Sequence, residues 1–431
     1  MPEAGPIRAG MSRREWIVVA LLVFSVVINY VDRSNLSLAM PILVKQFSIS
    51  PYRAGELLGA FSWTYALVQV FGLAGWLADR FPAGWVLFGG YLLWCFATAL
   101  AGLASGFAVL YAVLLLLGLG ESVAYPCYSR IFAAMPQEHR GRANALIDAG
   151  TKLGPAAGAF LGGMVLVHFG WRLLFGVFGI GALAWLLPWY FAMPRGERIA
   201  KERQAERNAE KRSGASTPSI AKLLRMRCAW GAFIGHFCGN YFYYFLLSWL
   251  PTYLVQEEHL SIRAMSRLTA VIFGLIACST IVTGWTTDRL IARGASPTIV
   301  RRAATAGGSF VASFFLALWF IHGHPFVALG VLAIGCVGYG VYASNHWAIT
   351  QTLAGPAMAG RWSSLQNGVA NFSGIIAPWL AGFIVQARGS ARLAFVIAGG
   401  VALVGAAAWL FLVRRVEPVN WDTSAREARP A

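Results

Sequence analysis

A few ionisable residues stand in stretches apolar enough to span a bilayer. Asp32 and Arg33 are neighbours in Ile28 to Leu43, INYVDRSNLSLAMPIL; Glu121 follows Gly118 and Gly120 in a leucine-rich run; Asp148 and Lys152 lie four residues apart in a glycine-rich one. A charge at the centre of an apolar helix costs roughly 2.5–3.5 kcal/mol on insertion scales, and such charges persist where they pair or face a water-filled cavity. The chemistry open to these residue types is ion recognition. A guanidinium offers paired donors that match a carboxylate, and a carboxyl that loses and regains its proton can tie that recognition to proton movement. Two readings compete for Asp32 and Arg33: a neutralised pair holding helices together, or a ligand and proton site. Adjacent helical residues point about 100° apart, so both aim at one point only with local bending, which Asn29, Ser34 and Pro41 permit.

The elements that must position these groups follow from composition. Of 431 residues, 58% are hydrophobic and 12% charged, against about 25% charged in soluble domains, and the mean hydropathy is +0.60. The fold class expected is an all-α integral membrane protein. Twelve apolar windows of about 20 residues or more use most of the length and leave no room for a second folded domain or a sensor's output domain. Arg8, Arg13 and Arg14 precede a long span with no small-residue cleavage site, so the first helix is expected to stay. The net charge of +17 is a topology signal and not a nucleic-acid footprint. Lys and Arg concentrate in loops assigned to the cytoplasm, with Arg33, Arg130 and Lys152 inside spans, which follows the positive-inside rule. Both termini are then cytoplasmic, and the plasma membrane, a bacterial inner membrane, is the expected location. The six Cys have no metal-ligand spacing and behave as small hydrophobes; no metal or cofactor is expected.

Spans are expected at about Trp16–Val44, Ala54–Ala78, Gly84–Leu103, Phe107–Ala134, Arg142–His168 and Trp171–Met193, then at about Cys228–Val255, Ala264–Leu290, Thr298–His322, Pro325–Leu353, Gly360–Ala387 and Leu393–Val413. This divides the chain into a six-helix bundle over 1–193, a charged cytoplasmic linker over 194–226, a second six-helix bundle over 227–415 and a polar tail over 416–431, expected to be disordered. Gly150, Gly154, Gly158 and Gly162 recur every four residues and put a small-residue stripe on one helix face, where another helix can approach closely. Gly75-x-x-x-Asp79-Arg80 recurs as Gly284-x-x-x-Asp288-Arg289 at the matching place in the second half. A six-plus-six parallel repeat is what a carrier with a midplane site between its halves presents. Asp79 and Asp288 near helix N-termini, with Arg80 and Arg289 on cytoplasmic helix ends, would form a latch; ordinary caps are the alternative.

Acids deep in spans number three, Asp32, Glu121 and Asp148, all in the first half. A carried proton therefore needs its carrier there, and Asp32 and Glu121 are the candidates. Asp148 either joins them or only neutralises Lys152. The asymmetry suits a solute with a carboxylate at one end and neutral hydroxyls at the other. Arg33 is the candidate for the carboxylate and Lys152 for a second positive charge. Tyr65, Tyr241, Tyr244, Ser344, His346, Trp347, Asn367 and Asn371 are candidates to hydrogen-bond or stack on the rest, each with a helix-packing bond as its plainer role. His346 is a further titratable group or a neutral hydrogen-bonding one.

With two halves, the doubled GxxxDR and the span-1 stretch, the sequence resembles the major facilitator superfamily. More narrowly, NYVDRSNLS, GESVAYPCYSRI, GRANALIDAGTKLGPAAGAFLGG, NYFYYFLLSWLPTYL and RWSSLQNGVANFSGIIAP are similar to the anion:cation symporter family, with its proton-coupled sugar-acid permeases such as the D-galactonate symporters and their sialin relatives. The resemblance implies that Arg33 meets the substrate carboxylate, that Asp32 and Glu121 are the protonatable pair, that Tyr65, Ser344, Trp347 and Asn367 line the cavity, and that a monomer is the default. Two departures matter. Leu114 stands where galactonate-type members carry an arginine, and Lys152 stands where they have an uncharged polar residue, so Lys152 is expected to replace the missing cation. The motif's trailing basic residues are absent after Arg80, where Phe81-Pro82-Ala83 intervenes. The function expected is a proton-coupled symporter importing a small organic anion, a sugar acid first, by alternating access. The alternatives are a uniporter or exchanger of organic anions, aromatic or dicarboxylic ones included, and, from another class, a membrane enzyme or sensor. Against an enzyme stand scattered histidines and the absence of HExxH or GxSxG.

Overall fold

The computed structural model describes residues 11–133, 135, 137–193, 219–321 and 324–421, and these are helical throughout apart from turns and short connections. Residues 194–218 of the linker expected over 194–226, and the tail beyond 421, lie outside the described residues. Among the described residues, eight helices are long and apolar enough to cross a bilayer, or nine if one bent pair counts as a single span.

The chain divides into two compact units, Met1–Gly214 with Leu254–Val271, and Ala215–Tyr253 with Ile272–Ala431. In the first unit, α1 (Arg13–Gln46) begins at a capping box: Ser12 accepts from the Glu15 backbone while the Glu15 side chain accepts from the Ser12 backbone N–H at 2.8 Å. Its 34 residues extend about 51 Å at 1.5 Å per residue, longer than a bilayer core. Helix α2 (Pro51–Val70) starts with Ser50 as cap and proline in the first turn, where the missing N–H costs nothing. Gly72, at φ 68°, ends it and turns the chain by 60° into α3 (Leu73–Arg80); a left-handed backbone there favours glycine. Next come α4 (Ala83–Ala101), α5 (Phe107–Glu121), α6 (Ala124–Ala133), α7 (Gln137–Ala182) and α8 (Leu186–Ala192). Helix α7 would be about 69 Å long if straight, but Gly170 at φ 79° interrupts it, between the fifth and sixth expected spans.

The glycine stripe does what its spacing predicts. A Cβ at Gly154 would lie 2.4 Å from the Cβ of Tyr30, and one at Gly158 would lie 2.1 Å from Ser34 Oγ, so α7 presses against the Val26, Tyr30 and Ser34 side of α1. That contact leaves positions 25, 29, 32 and 33 of α1 to face elsewhere.

In the second unit a short helix α9 (Ile220–Leu224) leads into α10 (Arg227–Gln256), whose N-terminal part to Tyr253 belongs to this unit. It is followed by α11 (Ile262–Ala292), α12 (Pro297–Ala312), a 3-10 segment Ser313–Trp319, α13 (Pro325–Ala343), α14 (His346–Asn371), α15 (Ser373–Arg388) and α16 (Arg392–Ala407). Between α13 and α14 the helix breaks at Ser344 and Asn345, and Gly355 at φ 59° breaks α14 itself. The core is aromatic: Tyr339 stacks on both Phe242 and Tyr243 at 5.5 Å, and Phe245 meets Phe395 edge-on at 4.7 Å.

The segment after Arg415 departs from expectation over its described part. Val416 is buried and its N–H donates to Thr298 Oγ1 at 3.0 Å; Val419 N–H donates to Leu353 O at 2.9 Å; the Trp421 indole donates to Ala354 O at 2.9 Å. Lys222 Nζ donates to the Trp421 carbonyl. Residues 416–421 are docked rather than disordered, because Val416 and Trp421 supply apolar anchors in a stretch whose average composition is polar.

Candidate functional site

Helix α1 delivers its two charges to different neighbours. The Arg33 guanidinium turns to α5, where Nε and Nη2 reach the same oxygen of Glu121, Oε2, at 2.9 and 2.8 Å. Three rings surround it, with centroids 4.7 Å (Tyr30), 4.6 Å (Phe61) and 5.3 Å (Tyr65) from Cζ. Tyr30 is one turn before Arg33 on α1, and Phe61 and Tyr65 are one turn apart on α2, so helical spacing alone assembles the box. Gly118 and Gly120 bring α5 in: a Cβ at Gly118 would fall 2.1 Å from the Phe61 carbonyl oxygen, and one at Gly120 2.8 Å from the Trp94 backbone nitrogen. The arginine side chain is 3% exposed and the glutamate 0%, so in this conformation the cation is enclosed by rings and a carboxylate rather than open to solvent. Among the described residues Glu121 Oε1 has no hydrogen-bond partner, which leaves one oxygen of the pair available to carry a proton.

Asp32 faces α4, toward Thr98 and Trp94, though among the described residues no contact to either carboxylate oxygen meets hydrogen-bond geometry. The ion pair is therefore Arg33 with Glu121, not Arg33 with its sequence neighbour, for the reason the 100° step already contains. Lys152 is buried, 4.0 Å from Asp148 one turn earlier on α7. The buried charged side chains among the described residues are Asp32, Glu121, Arg33 and Lys152, two of each sign and all in the first unit.

The second unit brings its candidates together in two groups. The Tyr244 hydroxyl and Asn371 Oδ1 are 3.1 Å apart, and Asn371 Nδ2 donates to Asn367 O at 2.9 Å; Tyr241 is buried on the same helix as Tyr244. At the break before α14, the Ser344 hydroxyl donates to Val341 O at 2.7 Å and accepts from Asn345 Nδ2 at 2.8 Å. His346 Nδ1 lies 3.0 Å from Ala343 O, and its ring centroid is 5.3 Å from that of Trp347. Ser344, Trp347 and Asn367 are half-buried.

The repeated motifs pair through their acids. Asp79 Oδ1 lies 3.8 Å from Arg130 Nε, and Asp288 Oδ1 lies 4.0 Å from Arg301 Nη2. Both aspartates are mostly exposed, so each pair contributes at most about 1 kcal/mol. Arg80 is exposed, and Arg289 lies over the Trp285 ring at 4.1 Å.

Residues 22–378 match the Major Facilitator Superfamily. The chain belongs to that superfamily. Among its relatives it is 31% identical to an uncharacterised transporter, YybO, of Bacillus subtilis (strain 168), over 96% of this chain and 97% of the relative. It is 29% identical to a probable L-galactonate transporter of Escherichia coli (strain K12), over 95% and 91%. In fold it is similar to a bacterial homologue of the human lysosomal transporter Spinster, in an inward-facing and occupied conformation, with TM-score 0.75, 16% identity and coverage of 94% and 98%. The D-xylose-proton symporter is also similar, with TM-score 0.72, 14% identity and coverage of 93% and 98%. Superfamily membership makes the chain a multi-pass membrane transporter and not an enzyme.

Within this superfamily member, sequence reasoning did not single out Tyr30, Phe61, Trp94 or Thr98 as neighbours of the buried charges. Tyr30 was legible from the three-residue step to Arg33. Trp94 and Thr98 carried no such signal, because their neighbour Asp32 lies on another helix.

Proposed function

We propose that this protein imports a sugar acid with protons, by alternating access, across a bacterial inner membrane, with twelve spans in two six-helix bundles and both termini cytoplasmic. The observation that carries the reading is the Arg33–Glu121 pair inside its aromatic box. A solute carboxylate that takes the Arg33 donors leaves Glu121 buried beside no counter-charge, and removing one partner of a buried pair costs about 3–5 kcal/mol. A proton on Glu121 removes that cost. Anion and proton therefore favour each other's binding, which is the requirement for symport. Asp32, buried on the other side of α1, is the second carboxyl available to the cycle. Tyr65 lines the carboxylate end with Arg33, and Lys152 supplies a further cation. Tyr241, Tyr244, Ser344, His346, Trp347, Asn367 and Asn371 supply neutral groups for hydroxyls. The motif acids Asp79 and Asp288, with Arg80 and Arg289, serve the conformational change. Relatives described as L-galactonate, D-galactonate, hexuronate and galactarate/D-glucarate transporters support a sugar acid as solute.

The test is uptake of labelled D-galactonate by proteoliposomes holding the full chain as a monomer. An inward proton gradient is expected to accelerate uptake and drive accumulation. Uptake indifferent to the gradient would refute coupling.

A further inference from the structure

Helix α4 carries a buried face that none of the roles above uses. Tyr91, Trp94, Cys95 and Thr98 recur at helical spacing and are all buried, so they form a single stripe, and Asp32 of α1 faces this stripe. Trp94 is held from two sides. The Tyr91 ring lies against it at 4.3 Å and is itself fixed, its hydroxyl donating to Ala182 O at 3.1 Å and its ring stacking on Trp185 at 4.2 Å. From α5, Gly120 approaches the Trp94 backbone too closely to admit a Cβ. Asp32 therefore meets an indole whose place is set by three other helical segments.

Among the described residues, both Asp32 carboxylate oxygens, Trp94 Nε1 and Thr98 Oγ1 all lack a hydrogen-bond partner, and buried polar groups left so are costly and call for a reason. The groups complement one another. An indole N–H only donates, a carboxylate only accepts, and a hydroxyl does either. Ionised Asp32 can accept from Trp94 and from Thr98, one donor for each oxygen. Protonated Asp32 can still accept from Trp94 at its carbonyl oxygen while its own O–H donates to Thr98 Oγ1. The same two side chains serve both protonation states, and only the Thr98 hydroxyl reverses. Buried cations do not take their place: Arg33 is turned to Glu121 and Lys152 to Asp148. The other titratable groups acting on Asp32 are Glu121 from α5 and Tyr91 and Cys95 from α4.

We propose that Trp94 and Thr98 are positioning residues for Asp32: the indole and the hydroxyl are the two donors that hold its carboxylate, and the hydroxyl turns to accept when Asp32 takes up a proton. Proton uptake at Asp32 then needs one hydroxyl rotation and no repacking of α1 against α4. Asp32's place in the proton cycle rests on the function proposed above; its donor pair does not.

The test has two arms on the full-length protein. In the first, infrared difference spectra are recorded in nanodiscs across a pH series, and the carbonyl stretch of protonated Asp32 is assigned as the band lost in Asp32→Asn. Thr98→Val keeps the shape of the side chain and removes the hydroxyl; Trp94→Phe keeps a ring and removes the N–H. A bond to a charged acceptor is stronger than one to a neutral acceptor, so losing either donor favours the protonated form. In each variant the band is expected to persist to higher pH by about one unit, while Thr98→Ser, which restores a hydroxyl, titrates as wild type. A midpoint unmoved in Thr98→Val or Trp94→Phe, or moved in Thr98→Ser as far as in Thr98→Val, would overturn the proposal. In the second arm, proteoliposome uptake of labelled D-galactonate is followed against pH. Its midpoint is expected to rise by about the same amount in Thr98→Val and to stay in place in Thr98→Ser. A shift in the spectra with none in uptake would overturn the positioning role in transport. Wild-type uptake indifferent to pH and to a proton gradient would overturn the proposed function and Asp32's place in the cycle, while the infrared titration still decides the donor pair.

Discussion

Glu121→Gln separates the two duties assigned to the buried ion pair. The amide oxygen of glutamine can take the place of Oε2 and accept the same two Arg33 N–H groups, which now reach it at 2.9 and 2.8 Å. What disappears is the charge. The guanidinium keeps its charge, so both bonds stay within the range of about 1.5–3 kcal/mol for bonds to a charged group, and moving each about 1 kcal/mol down that range loses about 2 kcal/mol for the two. The arginine is left as a buried cation facing three rings, each worth roughly 0.5–2 kcal/mol, so the fold persists but is less stable without ligand. An incoming carboxylate no longer displaces a charged rival, and its affinity is expected to rise by about the same 2 kcal/mol, roughly thirtyfold at 1.4 kcal/mol per decade. Three readings check this on the purified variant. The melting temperature without ligand falls, D-galactonate stabilises the variant more than it stabilises wild type, and proteoliposomes lose gradient-driven accumulation while keeping counterflow. A variant that still accumulates galactonate on a proton gradient, or binds it more weakly than wild type, would refute the reasoning.

Arg33→Lys keeps the charge but loses the paired donors and the flat face stacked among Tyr30, Phe61 and Tyr65; galactonate binding measured by calorimetry is expected to weaken at least about tenfold. Lys152→Ala is expected to weaken binding about as much as Arg33→Ala, and unchanged affinity would show that Lys152 only neutralises Asp148. Gly158→Val drives a side chain into Ser34 and the Val31 backbone, and overpacking of this kind costs about 1–3 kcal/mol, to be read as a lower melting temperature in detergent. Trp421→Ala removes the indole bond to Ala354 O and is expected to cost about 1–2 kcal/mol in the same melt; a wild-type melting temperature would show that the segment after Arg415 does not hold the second unit.

How much of this was legible beforehand differs by residue. The four-residue glycine stripe announced a close helix contact, and the structure supplies it against Val26, Tyr30 and Ser34. The acid of each GxxxDR motif was legible as a charge at a helix end, but its partner was not: Arg130 and Arg301 come from other helices. The polar composition after Arg415 pointed to disorder, yet two well-spaced apolar residues, Val416 and Trp421, suffice to dock the described part. The contact of His236 Nδ1 with Gln366 Nε2 at 3.3 Å was invisible, since one histidine in an aromatic run has no periodic signature and its partner lies on a distant stretch of chain.

The sequence by itself determined which groups are available: a membrane-embedded chain with three acids, Asp32, Glu121 and Asp148, and three cations, Arg33, Arg130 and Lys152, inside spans of its first half, and tyrosines, amides and a histidine in its second. Composition and spacing suffice for that, because lipid admits charges only where they serve or pair. Tertiary structure alone decided who meets whom. Arg33 joins Glu121, 88 residues away, and not the aspartate beside it, because a helix turns neighbours about 100° apart and because Gly118 and Gly120 let α5 come close enough to offer the carboxylate. Such a partner is chosen by packing between helices, which no single segment records.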